Sequence, residues 1–285
     1  MTTPTRRLGI AQLSLVGTAP PELVTIAAQA GFDFIGARVR PVTTTERPYN
    51  LQPGSAMLKE TLERMADTGI CVEDIEFLLL DGTGLQNGQD QRKAWLHMME
   101  AGQALGASTL TVACGDPDLG RFSDHLAQMT EDGKAFGIAP TLEPISYQSV
   151  RSISVAMELA RHAGCSIVVD ALHVNRFGGT AAELGGVADL VPMIQLCDGP
   201  ATPPSSRESL ITESRSERGV PGEGEFDLPA LLAAFPAGTP VSVETPSDSR
   251  VASMGELAWA KQLKAAAVSV LSPCDTNVEL TWSTT

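Results

Sequence analysis

Ala139-Pro-Thr-Leu-Glu-Pro-Ile-Ser146 is a short β-rich run, residues 148–164 carry apolar positions at helical spacing and end in Gly164, and Ile167-Val-Val-Asp-Ala-Leu-His173 is a second apolar run. Together they read as one complete strand–helix–strand unit. The same unit recurs outward in both directions. Before it, strands over 8–16, 32–39, 72–80 and 109–115 alternate with helices over 22–31, 56–69, 91–106 and 122–137. After it come a weak helix near 181–190, a strand over 193–198, a helix over 228–235, a strand over 241–246 and a helix over 255–270. Gly31, Gly69, Gly106, Gly137 and Gly164 each close a helical stretch just before a strand, as the C-cap of a short connection does. Regular alternation of eight units predicts α/β architecture, a single (β/α)8 TIM barrel spanning residues 1–285 as one domain, with 272–285 a C-terminal tail. The alternative, an open doubly wound sheet, would need a glycine-rich phosphate turn after the first strand, and Gly17-Thr18-Ala19-Pro20-Pro21 cannot supply one.

Composition narrows the partners. The 285 residues carry 34 acidic and 20 basic side chains, a formal charge of -14, which opposes nucleic acid and anionic membrane surfaces. The five cysteines are an odd number, widely spaced and mostly set in apolar runs, so reduced thiols and a cytoplasmic location are expected. Arg6 and Arg7 lead into a strand-like run rather than a signal-peptide core, and no apolar run approaches a membrane span, so a protein that does not enter the membrane is expected.

Two segments break the rhythm, the Pro-rich 40–54 after strand two and the polar 199–226 after strand seven. Both follow strand C-termini, where barrels carry their working loops. The late strands also share a pattern: Glu143, Asp170, Gln195 and Glu244 each stand near the C-terminal end of an apolar run, and in a barrel those ends converge. Three carboxylates brought together away from water repel one another, and a divalent cation is the simplest means of keeping them ionised. An oxygen-only quartet suits Mn²⁺ or Mg²⁺, with Co²⁺ or Zn²⁺ as substitutes. Of the four histidines, His97, His125 and His162 fall within helical stretches, leaving His173, three residues beyond Asp170, at the start of the loop after strand six. Arg218 precedes the turn-rich Pro221-Gly222-Glu223-Gly224, which would fold the loop over the site, with Arg207 and Arg215 competing for the same role. Glu76 on strand three is a further candidate for contact with substrate, its facing left open by Asp74 and the leucines around it. Trp95, Trp259 and the charged face of the helix over 56–69 read as packing and solvation.

Leu142-Glu-Pro144, Asp170-Ala-Leu-His173, and Gln195-Leu-Cys-Asp-Gly-Pro200 followed by Arg218-Gly-Val-Pro-Gly-Glu-Gly-Glu-Phe-Asp227 give the chain a resemblance to the xylose isomerase-like sugar phosphate isomerase/epimerase superfamily, over nearly its whole length. The resemblance implies that Glu143, Asp170, Gln195 and Glu244 hold the metal and that His173 and Arg218 face a small carbohydrate-like substrate. It also leaves room for a homodimer. Many such enzymes have histidine where this chain has Gln195, and glutamine there is similar to hydroxypyruvate isomerase-like members. The implied activity is isomerisation or epimerisation through a metal-stabilised enediolate, with Glu143 and Glu244 exchanging the proton from opposite sides and His173 able to take over that task. A dehydratase or lyase of the inosose or dehydroshikimate type would use the same intermediate to expel a β leaving group. The DNA-repair relatives of this fold need more strand-end histidines than the chain contains, and a non-catalytic binder would be expected to have lost part of the quartet.

Overall fold

A computed structural model describes residues 6–86 and 89–276. Eight strands form the wall: β1 (Leu8–Ile10), β2 (Phe34–Arg38), β3 (Cys71–Leu80), β4 (Thr109–Cys114), β5 (Ala139–Glu143), β6 (Ser166–Ile167 and Val169–Asp170), β7 (Ile194–Leu196) and β8 (Val241–Val243). All neighbours pair in parallel, and β1 pairs with both β2 and β8. The ring closes through β6: its first half pairs with β5, Leu142 opposite Ile167, and its second half with β7, Gln195 opposite Asp170. This is the predicted (β/α)8 barrel. A two-stranded antiparallel hairpin (Leu85–Gln86 with Gln89–Asp90) lies outside the ring.

The outer layer contains α1 (Pro20–Ala30), α2 (Ala56–Thr68), α3 (Gln91–Leu105), α4 (Leu119–Gly133), α5 (Ile153–Ala163), α6 (Ala171–Phe177), α7 (Ala181–Gly185), α8 (Arg207–Ser216), α9 (Leu228–Ala233), α10 (Asp248–Met254) and α11 (Glu256–Thr276). Ser55, Asp90, Ser152 and Thr180 cap helix N-termini by accepting from backbone N–H groups. Gly31, Gly69, Gly106 and Gly164 take the left-handed conformation as C-caps, whereas Gly137 takes it four residues beyond the end of α4, just before β5. Trp95 on α3 and Trp259 on α11 are buried in the core, Trp95 with its Nε1 donating to Asp132 of α4. Cys114, Cys165 and Cys197 are buried free thiols and Cys71 is a half-buried one. Among the described residues no helix is long and apolar enough to cross a membrane.

Among the boundaries that differ from the sequence reading, four have a local reason. The alternating run 8–16 is strand only to Ile10; Gln12–Leu15 turn into a 3-10 helix, because the backbone N–H groups of Gln12 and Leu13 donate to the Glu76 carboxylate instead of to a neighbouring strand. The run 167–173 stops at Asp170, whose carboxylate accepts from Leu172 N at 2.7 Å and starts α6. His173 therefore stands on a helix rather than at the start of a loop. The polar segment 199–226 contains α8, which its low hydrophobicity concealed. Finally, α11 runs through the first residues of the predicted tail to Thr276, and 277–285 lie outside the described residues.

Candidate metal centre and active site

The C-terminal ends of β5 to β8 bring Glu143, Asp170, Gln195 and Glu244 to one mouth, where all four are buried. Glu143 is the last residue of β5, Asp170 the last of β6, Gln195 the centre of β7, and Glu244 the first residue after β8. Glu143 and Asp170, together with His173, offer ligand atoms that lie within 4.8 Å of one another, a group able to hold a metal ion. Gln195 and Glu244 are joined directly: Gln195 Nε2 donates to Glu244 Oε1 at 3.0 Å. That bond leaves Gln195 Oε1 buried with no hydrogen-bond donor among the described residues. A buried amide oxygen without a donor is costly, and a cation is one group that would satisfy it. With three carboxylates close by, the donor set fits a hard divalent ion.

Arg218 is the counter-charge within this cluster. Its guanidinium donates to Asp170 Oδ2 at 2.7 Å and pairs with Glu244 Oε2 at 3.0 Å, while its Nε is held by Ser214 O at 2.8 Å. The loop that carries it is fastened from both sides. Arg218 N donates to Pro246 O, and Asp198 and Gly219 exchange backbone hydrogen bonds at 2.8 and 2.9 Å. The Asp198 carboxylate also accepts from the N–H groups of Gly199, Gly222 and Phe226. Gly224 passes so close that a Cβ there would sit 2.3 Å from Asp198 Oδ1, which accounts for glycine at that position. The Gln-Leu-Cys-Asp-Gly-Pro and Arg-Gly-Val-Pro-Gly-Glu-Gly motifs thus form one fastened strap that holds Arg218 at the mouth.

The ionisation states follow from burial and neighbours. Burial, and then Glu244 and Asp170, push Glu143 well above the ordinary carboxylate range. Burial pushes Glu244 up to about 8 despite the nearby guanidinium. Asp170 is equally buried, yet Arg218 and then His173 hold it below its ordinary value. Burial pulls His173 down to about 4, so its ring is neutral at neutral pH. His173 Nε2 lies 3.8 Å from Glu143 Oε1, its Nδ1 is 3.3 Å from Ser146 Oγ, and Tyr147 meets its ring edge-on at 5.6 Å between centroids.

Glu76 faces inward. It lines the pocket, and Asp74 and Ile75 beside it are buried as well, as residues on both faces of a helix-covered parallel strand are. The Glu76 carboxylate accepts from Gln12 N at 2.8 Å and Leu13 N at 3.1 Å and lies 3.5 Å from Arg38. A Cβ on Gly36 would come within 2.2 Å of it. Arg38, Tyr147 and Ser214 also line the pocket, and sequence reading had not singled them out. Arg38 ends β2, so the strand-tip criterion that found Glu143 would have found it. Tyr147, by contrast, lies on the loop after β5, which carries no periodic signal.

With this barrel and mouth in view, the chain belongs to the xylose isomerase-like TIM barrel family, whose model matches residues 24–267. Similar solved structures include the IolI protein with a bound zinc atom, 18% identical over 94% of this chain and 98% of that one, with a TM-score of 0.78. L-ribulose 3-epimerase is 16% identical over 95% and 96% of the two chains, with a TM-score of 0.69. A xylose isomerase-like TIM barrel/4-hydroxyphenylpyruvate dioxygenase fusion protein is 22% identical over 93% of this chain but only 42% of its own length, with a TM-score of 0.73. No curated protein matches by sequence. At these identities the likeness establishes the fold.

Proposed function

We propose that this chain is a divalent-metal-dependent isomerase or epimerase of a small, carbohydrate-like hydroxy-carbonyl compound, acting in the cytoplasm. The observation that carries this reading is the convergence of Glu143, Asp170 and Glu244 at the barrel mouth with the buried Gln195 oxygen, which has no donor among the described residues. The names of the relatives support it, since one holds zinc and another is a sugar epimerase. Glu143, Asp170, Gln195 and Glu244 would hold Mn²⁺ or Mg²⁺, with Co²⁺ or Zn²⁺ able to substitute. When bound, such an ion supplies Lewis acidity to an adjacent carbonyl and hydroxyl, acidifying the C–H between them.

The remaining work falls to the side chains. Glu143 and Glu244 come from β5 and β8 and flank the pocket. In the metal-free site burial raises both carboxyls above the ordinary carboxylate range, Glu244 to about 8; a bound cation would lower them, so the carboxylate that coordinates more loosely would take and return the proton. Asp170, held ionised by Arg218, stays an anionic anchor instead. Neutral His173, fixed by Ser146 and Tyr147, donates or accepts a hydrogen bond to a substrate oxygen without adding charge. Arg218 and Glu76 complete the wall against which the substrate is oriented.

The test is proton exchange. Chelator-stripped protein reloaded with Mn²⁺, Mg²⁺, Co²⁺ or Zn²⁺ is incubated in D₂O with ketoses, hydroxypyruvate and inososes and followed by NMR. Metal-dependent deuterium uptake beside the carbonyl, lost in Glu143→Gln and Glu244→Gln, is the expected result. Tight metal binding with no exchange in any compound would count against the reading, and loss of water from the product would move it to a dehydratase.

A further inference from the structure

Three arginines line the active-site pocket, and they differ in how their charge is used. Arg38 faces both Glu46, at 2.6 Å, and Glu76, at 3.5 Å. Arg218 is held by Asp170 and Glu244. Arg215 has no ion-pair partner among the described residues, although acidic side chains outnumber basic ones 34 to 20 in this chain. Asp248 stands on the same rim and does not pair with it.

Arg215 is not alone. Tyr147 and Gln148 line both this pocket and an adjoining open cleft, and that cleft is also lined by Arg151 and Arg207. Neither forms an ion pair within 4.0 Å among the described residues, although Glu208 follows Arg207 and feels its charge. Arg207 instead lies over the Tyr147 ring, 6.0 Å from its centroid, with its Nε 3.4 Å from Tyr147 O. Arg207 and Arg215 mark the two ends of α8, and that helix is fixed where it crosses the mouth. Tyr147 OH and Ser214 Oγ are hydrogen-bonded at 2.9 Å, and Ser214 O receives Arg218 Nε. A guanidinium in the last turn complements the helix dipole, but that role needs no position in the wall of a pocket.

We propose that the substrate carries an anionic group, a carboxylate or a phosphate, and that Arg215 receives it, with Arg207 and Arg151 extending the cationic rim outward past Tyr147 and Gln148. This rests on the function proposed above and names its substrate class. A free guanidinium presents paired donors that match either anion. The two cases differ in reach: a carboxylate on the reacting skeleton contacts Arg215, whereas a phosphate, two bonds further out through its ester oxygen, also draws on Arg207 and Arg151.

Three ligands that share one hydroxy-ketone unit separate these cases: dihydroxyacetone (neutral), hydroxypyruvate (carboxylate) and dihydroxyacetone phosphate. Each is titrated calorimetrically into Mn²⁺-loaded protein at low and at high salt. At low salt, at least one anion is expected to bind about tenfold more tightly than the neutral compound, the worth of one charge-assisted hydrogen-bonded contact, and the preference should shrink as salt rises. Arg215→Gln should abolish it and Arg215→Lys restore part of it, with thermal melting unchanged because the side chain is exposed. A phosphate preference weakened by Arg207→Gln or Arg151→Gln assigns the outer arginines to phosphate; a hydroxypyruvate preference indifferent to them assigns a carboxylate. Equal affinity for all three compounds, no binding of either anion, or a preference unaltered in Arg215→Gln overturns the proposal. Arg215-dependent anion binding without metal-dependent proton exchange would leave this inference standing and remove the proposed reaction, whereas exchange with no anion preference would do the reverse.

Discussion

Replacing Arg218 by methionine keeps an unbranched apolar stem and removes the charge, leaving Asp170 and Glu244 buried without their common partner. Removing one member of a buried ion pair costs about 3–5 kcal/mol, because the other charge remains desolvated. The two pairs do not simply add. Glu244 is already pushed up to about 8 and can take a proton, so most of the loss falls on Asp170, which the guanidinium holds ionised. A loss of about 3–5 kcal/mol corresponds to a melting temperature lowered by roughly 10 °C in a domain of this size. Chemical denaturation and thermal melting in chelator measure it directly. Mn²⁺ at about a hundred times its dissociation constant adds about 2.7 kcal/mol to any protein that binds it only when folded. At one and the same Mn²⁺ concentration the gain should be larger in Arg218→Met, which should bind the ion more tightly because the ion no longer shares its carboxylates with a guanidinium. Arg218→Lys should recover only part, since a point charge cannot serve two carboxylates at once. A loss below about 1 kcal/mol in chelator, on the scale of an exposed pair, or identical metal-induced gains in both proteins, would refute this reading of Arg218.

Two further perturbations test the surroundings. Asp74 accepts from Thr109 and Thr111 hydroxyls at 2.8 and 2.9 Å, and burial followed by Glu76 raises its carboxyl well above the ordinary value. A raised folded pKa contributes stability that is present below the unfolded value, near 4, and lost as pH rises through the folded one. Asp74→Asn, neutral throughout, should therefore gain on the wild type as pH rises from about 4 to 8 in urea titrations; a difference constant with pH would contradict the assignment. Gly36→Ala places a methyl 2.2 Å from the Glu76 carboxylate, which the Gln12 and Leu13 N–H groups hold in place. It should destabilise by about 1–3 kcal/mol and weaken substrate binding more than Gly102→Ala, which crowds only Ile75 and Ile138 in the core; equal effects on binding would separate Glu76 from the substrate.

The barrel was legible because eight apolar runs and the glycines after its helices repeat with one rhythm, and a repeated signal survives local errors. The four strand-tip residues were legible for the same reason: a polar side chain interrupting an apolar run at a fixed place is conspicuous. Contacts formed across the ring were not. The bonds from Gln12 and Leu13 to Glu76 join residues 64 and 63 positions apart, and they cut β1 short in a segment whose alternation looks like continuous strand. The pairing of Arg218 with Asp170 across 48 residues depends on the strap that Asp198 fastens, and no local pattern encodes that closure. Helix α8 was hidden because its exposed residues form no apolar stripe, leaving Ser206 at its N-cap as the one local clue.

The most direct measurement is the titration of chelator-stripped protein with Mn²⁺, with free ion followed by electron paramagnetic resonance. One ion per chain is expected, with affinity at least tenfold weaker in Glu143→Gln and in Asp170→Asn and a smaller loss in Gln195→Ala. No binding of Mn²⁺, Mg²⁺, Co²⁺ or Zn²⁺, or binding that these substitutions leave unchanged, would contradict a metal centre at this mouth.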